Sequence, residues 1–172
     1  MTPLRTHLTF AAVLVAALVL AGFASSKATT PACKGSQLSG RFNAVRGSEG
    51  AGNIVYRLTL TNTSATACTL TGLPAGQLLG KTGKKLPTHI RAANPQALTA
   101  VLVTLAHGKS AHADARFSPD VPGVGEQMTG QCEAKSFSLR VSLQGGCTTT
   151  VKITPATPVC EKGQLSFSAY GR

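Results

Sequence analysis

The chain has 172 residues, room for one ordinary domain. Its 17 Lys and Arg outnumber 6 Asp and Glu, giving a formal net charge of +11, yet only 13% of residues are charged and 42% are apolar, which excludes a charged disordered tail. Six acidic side chains leave little material for a carboxylate dyad or an oxygen-rich calcium cage, and the absence of Trp removes the best stacking residue for sugars and bases.

Arg5 precedes an uncharged apolar run from Phe10 to Ala24. Its 15 residues match a signal-peptide core and fall short of the roughly 18–20 that a spanning helix needs. Gly22 and Ala24 fit cleavage after Ala24, with Ala28 as the second candidate; the other reading is an uncleaved anchor starting at Leu8. Leu20-Ala21-Gly22-Phe23 has the shape of a lipoprotein box with Phe where the acylated Cys must stand. Residues 1–24 are therefore expected to be a signal peptide, 25–32 a short linker and 33–172 a single domain. The mature protein is expected to be secreted, without lipid and without a membrane span. Export puts Cys33, Cys68, Cys132, Cys147 and Cys160 in an oxidising space, where pairing is the default. Five is odd, so at least one thiol stays unpaired or pairs between chains. None forms a C-x-x-C, and the intervals of 35, 64, 15 and 13 residues match no zinc ribbon or finger.

Asn53–Thr61 is the clearest strand, with Ile54, Tyr56, Leu58 and Leu60 on one face and Arg57, Thr59 and Thr61 on the other. Leu98–Leu105, Ser110–Phe117 and Phe137–Leu143 alternate in the same way. Cys68–Thr71, Thr148–Ile153 and Leu165–Tyr170 are shorter candidates, and outside the leader no segment carries a 3.6-residue stripe. About seven short strands separated by Gly and Pro turns predict an all-β antiparallel sandwich. A hairpin is expected at His107-Gly108-Lys109. Only the register pairing Leu105 with Ala111 and Val103 with Ala113 puts every apolar residue inside, which turns His112 and Asp114 to solvent.

Several patterns invite a chemical reading. Ala75-x-x-x-x-Gly80-Lys81-Thr82 fits a permissive phosphate loop, but that mechanism needs a helix after the loop, and Gly83-Lys84-Lys85-Leu86-Pro87 is a poor helix start. Gly108-Lys109-Ser110-Ala111-His112 resembles a nucleophile elbow without its closing Gly, on a hairpin instead of a strand-to-helix turn. His107, His112 and Asp114, with Met128 further on, are candidate copper or zinc ligands; their ordinary reading is as surface polar residues of a hairpin. Lys81, Lys84, Lys85 and Arg91 crowd one Gly- and Pro-containing loop. Such a surface attracts polyanions in a salt-dependent way, or simply keeps the protein soluble. Nucleic-acid binding would want aromatics between the cations, and 2 Tyr and 6 Phe, mostly in core registers, do not supply them.

Cys33…Gln37-Leu38, then Ala51-Gly52-Asn53 and Tyr56 through Ser64, then Ala67-Cys68-Thr69-Leu70-Thr71-Gly72-Leu73-Pro74, resemble domain of unknown function 4232. That family comprises secreted or lipid-anchored proteins, mainly actinobacterial. The likeness continues through Val103–Ala111 and Cys132 towards Cys160. The resemblance implies an immunoglobulin-like sandwich with Cys33 paired to Cys68 and Cys132 to Cys160, and it brings no catalytic residues. Two departures stand out: His107 occupies a position where the family usually has Pro, and Cys147 is extra. The second leaves Cys132–Cys147 and Cys147–Cys160 as alternatives. With the implied pairing, Cys147 is free or links two chains, so the protein is a monomer or a Cys147-linked dimer.

The expected function is that of a secreted, non-enzymatic module without cofactor, binding a protein or an anionic cell-envelope polymer and not nucleic acid. The alternative is a small extracytoplasmic copper- or zinc-binding protein using His107, His112 and Asp114.

Overall fold

A computed structural model describes residues 29–97 and 101–172. The leader, both of its candidate cleavage sites and residues 98–100 of the predicted Leu98–Leu105 strand lie outside the described residues. Ten strands are present: β1 Leu38–Ala44, β2 Ile54–Asn62, β3 Cys68–Thr71, β4 Ala75–Leu79, β5 His89–Ala92, β6 Leu102–Leu105, β7 Ser110–Phe117, β8 Ser136–Ser142, β9 Thr148–Thr157 and β10 Gln164–Phe167. Alternation sorts their faces. Tyr56, Leu58 and Leu60 of β2 and Ala111, Ala113, Ala115 and Phe117 of β7 are buried, while Arg57 and Arg116 are exposed. Phe42 lies between Tyr56 and Phe167, with ring centroids 5.4 and 5.8 Å away, and Tyr56 meets Phe117 at 5.2 Å. This aromatic cluster is the centre of the core.

Eight strands form one sheet in the order β4-β8-β9-β1-β2-β7-β10-β5, and β3 pairs with β6 in a separate two-stranded sheet. The large sheet is nearly closed. The chain leaving β4 turns back on it, with Leu86 N–H donating to Leu78 O (3.0 Å) and Leu78 N–H to Thr88 Oγ1 (2.9 Å), before continuing into β5 at the opposite end of the order.

The fold departs from the expected arrangement in three respects. There are ten strands where about seven were expected, because β1, β4 and β5 lack a readable alternation. In β1 the inward position between Leu38 and Phe42 is Gly40, where a Cβ would stand 2.6 Å from Val151 Cγ1 and 2.8 Å from Leu60 Cδ2. Close approach of neighbouring side chains requires glycine there, and glycine erases the pattern. The sheet is also not wholly antiparallel, since β1 runs parallel to β9 and β10 parallel to β5.

Finally, Val103 and Leu105 do not pair with Ala113 and Ala111. On either side of the turn at Ala106–Lys109 the strands part: β6 pairs with β3 (Leu105 with Cys68, Val103 with Leu70) and β7 pairs with β2 (Ala113 with Leu58, Ala111 with Leu60). All four residues are nevertheless buried. Alternation decides which face is inside; it says nothing about which strand lies alongside. The nine residues of β2 give β7 eight registered partners, twice what the four residues of β6 could offer.

Candidate functional site

On the outer face of the large sheet Arg57 of β2 stands opposite Asp114 of β7. Arg57 Nε and Nη2 donate to Asp114 Oδ1 and Oδ2, both at 2.7 Å, a planar fork on a planar carboxylate. Two residue pairs further along, and next on the same face, Thr59 Oγ1 lies 3.1 Å from His112 Nδ1. An open hollow of about 230 Å³ borders this group, lined by Arg57, His112, Asp114, Ser168, Gly171 and Arg172.

The Arg57 guanidinium holds the Asp114 carboxyl below its ordinary value of 3.8, outweighing the upward push of partial burial. A depressed folded-state value means that the pair's contribution is fully present above the ordinary value and fades as pH falls through the folded one. Both side chains are well exposed, 51% and 39%, so Asp114→Asn should cost no more than about 1 kcal/mol at neutral pH. Urea denaturation of the two proteins should show that difference vanishing once the pH is well below 3.8. A cost that persists unchanged in acid would mean the carboxylate charge contributes nothing.

The candidate metal ligands are not brought together. Asp114 has both oxygens on Arg57. His107, exposed in the turn before β7, has Nδ1 3.0 Å from Ser64 O, whereas His112 engages Thr59. Met128 is exposed in the Asp120–Lys135 loop. Among the described residues there is no group of three or more His, Cys, Asp or Glu that could hold a metal ion.

The basic loop is split. Lys81, Lys84 and Lys85 are exposed on the turn after β4, where Gly80 N–H donates to Lys84 O (2.8 Å) and Gly83 takes φ 80°. Arg91 is instead an outward residue of β5, with Nε donating to Ser166 Oγ of β10 at 2.8 Å. Extended chain and not a helix follows Gly80-Lys81-Thr82, so the phosphate-loop pattern lacks the amides it needs.

Cys33 is bonded to Cys68 and Cys132 to Cys160, with Cα atoms 4.8 and 5.6 Å apart. Cys147 is free and half-buried against the core. The second bridge adjoins the helical turn Cys160–Gly163, whose Glu161 and Lys162 take φ of 56° and 58°, a region that L-residues occupy at a cost. The Glu126 carboxylate restrains that turn by accepting N–H bonds from Gly123 (2.6 Å), Glu161 (2.8 Å) and Lys162.

Other outward cations escape a reading based on loops. Lys152 of β9 is the registered partner of Arg41 of β1, and Arg41 in turn of Thr59. Their signal in the sequence is alternation itself, which fixes Arg57 outside; Lys152 and Arg41 become neighbours only through the β1–β9 pairing, which no local pattern reveals.

These features define a disulfide-braced all-β domain with a cation-rich outer face carrying, among the described residues, a single forked ion pair. The chain belongs to the family described as Domain of unknown function (DUF4232), whose model matches residues 33–171. No curated protein matches it.

Proposed function

We propose that this protein is a secreted, non-enzymatic binding module of the cell envelope whose partner is an anionic polymer. The observation that carries the reading is the isolation of Arg57–Asp114: it is the one salt bridge among the described residues, so the other described Lys and Arg, most of them exposed, have no carboxylate partner. The resulting excess of positive charge over the few carboxylates concentrates polyanions at the surface and does so less as salt rises. The aromatic rings Phe42, Tyr56, Phe117, Phe167 and Tyr170 are buried and Phe137 is half-buried, so the described surface offers charge and hydrogen bonding far more than rings for stacking on bases or sugars.

The leader, cleaved after Ala24 or Ala28, delivers the module to an oxidising compartment where its two disulfides persist. The fold on this reading is an immunoglobulin-like sandwich. In its support, β1 pairs with β2 on one edge and with β9 on the other, near the middle of the eight-stranded order, where a division into two layers would fall.

Retention of the mature protein on an immobilised polyanion tests the reading. It should be strong at low salt, with log affinity falling linearly against log salt concentration, and absent on the same matrix without charge. Equal retention on the uncharged matrix, or none on the charged one, would overturn it.

A further inference from the structure

We propose that the polyanion is phosphate-bearing and is held at the seam between β9 and β1 by Lys152 and Arg41, with the β4–β5 loop outside the site. This rests on the anionic-polymer reading above and names its residues and ligand chemistry.

The register across the outer face lines up Lys152, Arg41, Thr59, His112 and Gly171 on five consecutive chain segments. Four inter-strand steps of about 4.8 Å make this row about 19 Å long. It runs at right angles to the strands and ends in the hollow bordered by Arg57, Ser168 and Arg172; Thr59, in its middle, is itself buried, so the exposed cations of the row are Lys152 and Arg41. Lys152 and Arg41 are like charges placed directly opposite, an arrangement that destabilises a strand pair. Neither is relieved by an acid: the carboxylate on this face, Asp114, is fully engaged by Arg57. An uncompensated cation pair on rigid strands is pre-organised for an external anion.

The geometry also discriminates between anions. The planar fork on Asp114 is what a carboxylate offers, one guanidinium for two coplanar oxygens. Two cations converging on one group from neighbouring strands suit a tetrahedral phosphate, whose oxygens point in different directions. Arg41 supplies the fork and Lys152 the point charge. Hydroxyls flank the row, with Thr61 Oγ1 2.7 Å from Ser110 Oγ, and provide further hydrogen-bonding groups.

Lys81, Lys84 and Lys85 bring more charge but on a turn, where holding three long side chains costs conformational entropy. They follow β4, at one end of the strand order, and lead into β5 at the other, whereas β1 lies in the middle. The two basic regions are therefore separate.

Titration of the wild type, R41S/K152S and K81S/K84S/K85S with inorganic polyphosphate distinguishes them. All five positions are exposed, so the variants should fold with a melting transition no lower than that of the wild type, and R41S/K152S, relieved of its facing charges, should melt slightly higher. R41S/K152S should weaken binding about tenfold and lower the salt slope by about two, one per lost phosphate contact. The loop variant, which loses more charge, should bind within about threefold of wild type. A larger loss in the loop variant, or losses simply proportional to charge removed, would overturn the seam while leaving the anionic-polymer reading intact. Failure of the wild type to bind polyphosphate while binding polyglutamate would overturn the phosphate assignment. Failure to bind either would overturn the underlying reading itself.

Discussion

Cys68→Ser is expected to lower the stability of the mature protein by about 4 kcal/mol. The bridge to Cys33 spans 35 residues, and releasing a loop of that length gives the unfolded chain back about that much conformational freedom. The native state has an equal interest in the link. Both cysteines are buried, and the bridge runs beside backbone bonds from Cys33 N–H to Thr69 O (3.0 Å) and from Thr69 N–H to Pro31 O (2.8 Å). These fasten the start of the domain onto β3. That strand has only β6 as a sheet partner, over four residues, and a two-stranded sheet is marginal alone. The double variant C33S/C68S should be no worse than Cys68→Ser, since both abolish the same loop. Cys147→Ser, touching no bridge, should cost under about 1 kcal/mol. Guanidinium denaturation of the four proteins decides the matter: a loss below about 1 kcal/mol for Cys68→Ser, or an equal loss for Cys147→Ser, would show that the bridge does not brace the fold.

What was legible in the sequence was whatever a single strand encodes. Alternation placed Tyr56, Leu58, Val103, Leu105, Ala113 and Phe117 inside and Arg57 outside, and each is there. Partner choice is not encoded locally. The turn at Gly108 joins two strands that diverge into different sheets, so a register argument that buried the right residues attached them to the wrong neighbours. Strand β1 was hidden by Gly40, and β4 and β5 by brevity and by Gly76, where a Cβ would sit 2.5 Å from Arg140 O. The candidate site suffered for the same reason. A run of lysines is conspicuous in a loop, whereas Lys152 and Arg41 lie 111 positions apart and meet only because β1 and β9 run side by side.

Asn62→Ala should cost about 3 kcal/mol, a large effect for a polar residue, because Asn62 is fully buried and uses its entire hydrogen-bonding capacity. Its Nδ2 donates to Leu105 O and Thr66 O, both at 2.8 Å, and its Oδ1 accepts from Ser64 N–H (2.9 Å) and Ser64 Oγ (2.8 Å). Its backbone takes part as well: Asn62 N–H donates to Lys109 O, and Gly108 N–H to Asn62 O. One side chain thus ties the end of β2 to the turn that follows it and to the last residue of β6. Gln37 extends the network, with Nε2 donating to Ser64 Oγ and Thr66 Oγ1 at 3.1 Å each. The stretch Leu60-Thr61-Asn62-Thr63-Ser64, with Gln37, therefore docks the small sheet onto the large one. Asn62→Asp sharpens the test. It keeps one acceptor but turns a carboxylate oxygen towards Leu105 O, in a place without water. Burial raises the folded-state value of such a group above the unfolded value of about 4, so the variant should be most unstable at neutral pH, recover in part as pH falls from the raised value towards about 4, where the protonated carboxyl donates one bond again, and change no further below it. Chemical denaturation across pH gives the profile. Still-folded Asn62→Ala should bind polyphosphate with wild-type affinity, since no row residue is touched. A loss of stability below about 1 kcal/mol would mean that β6 is held by other means, and lost affinity in a folded variant would move the motif from scaffold to site.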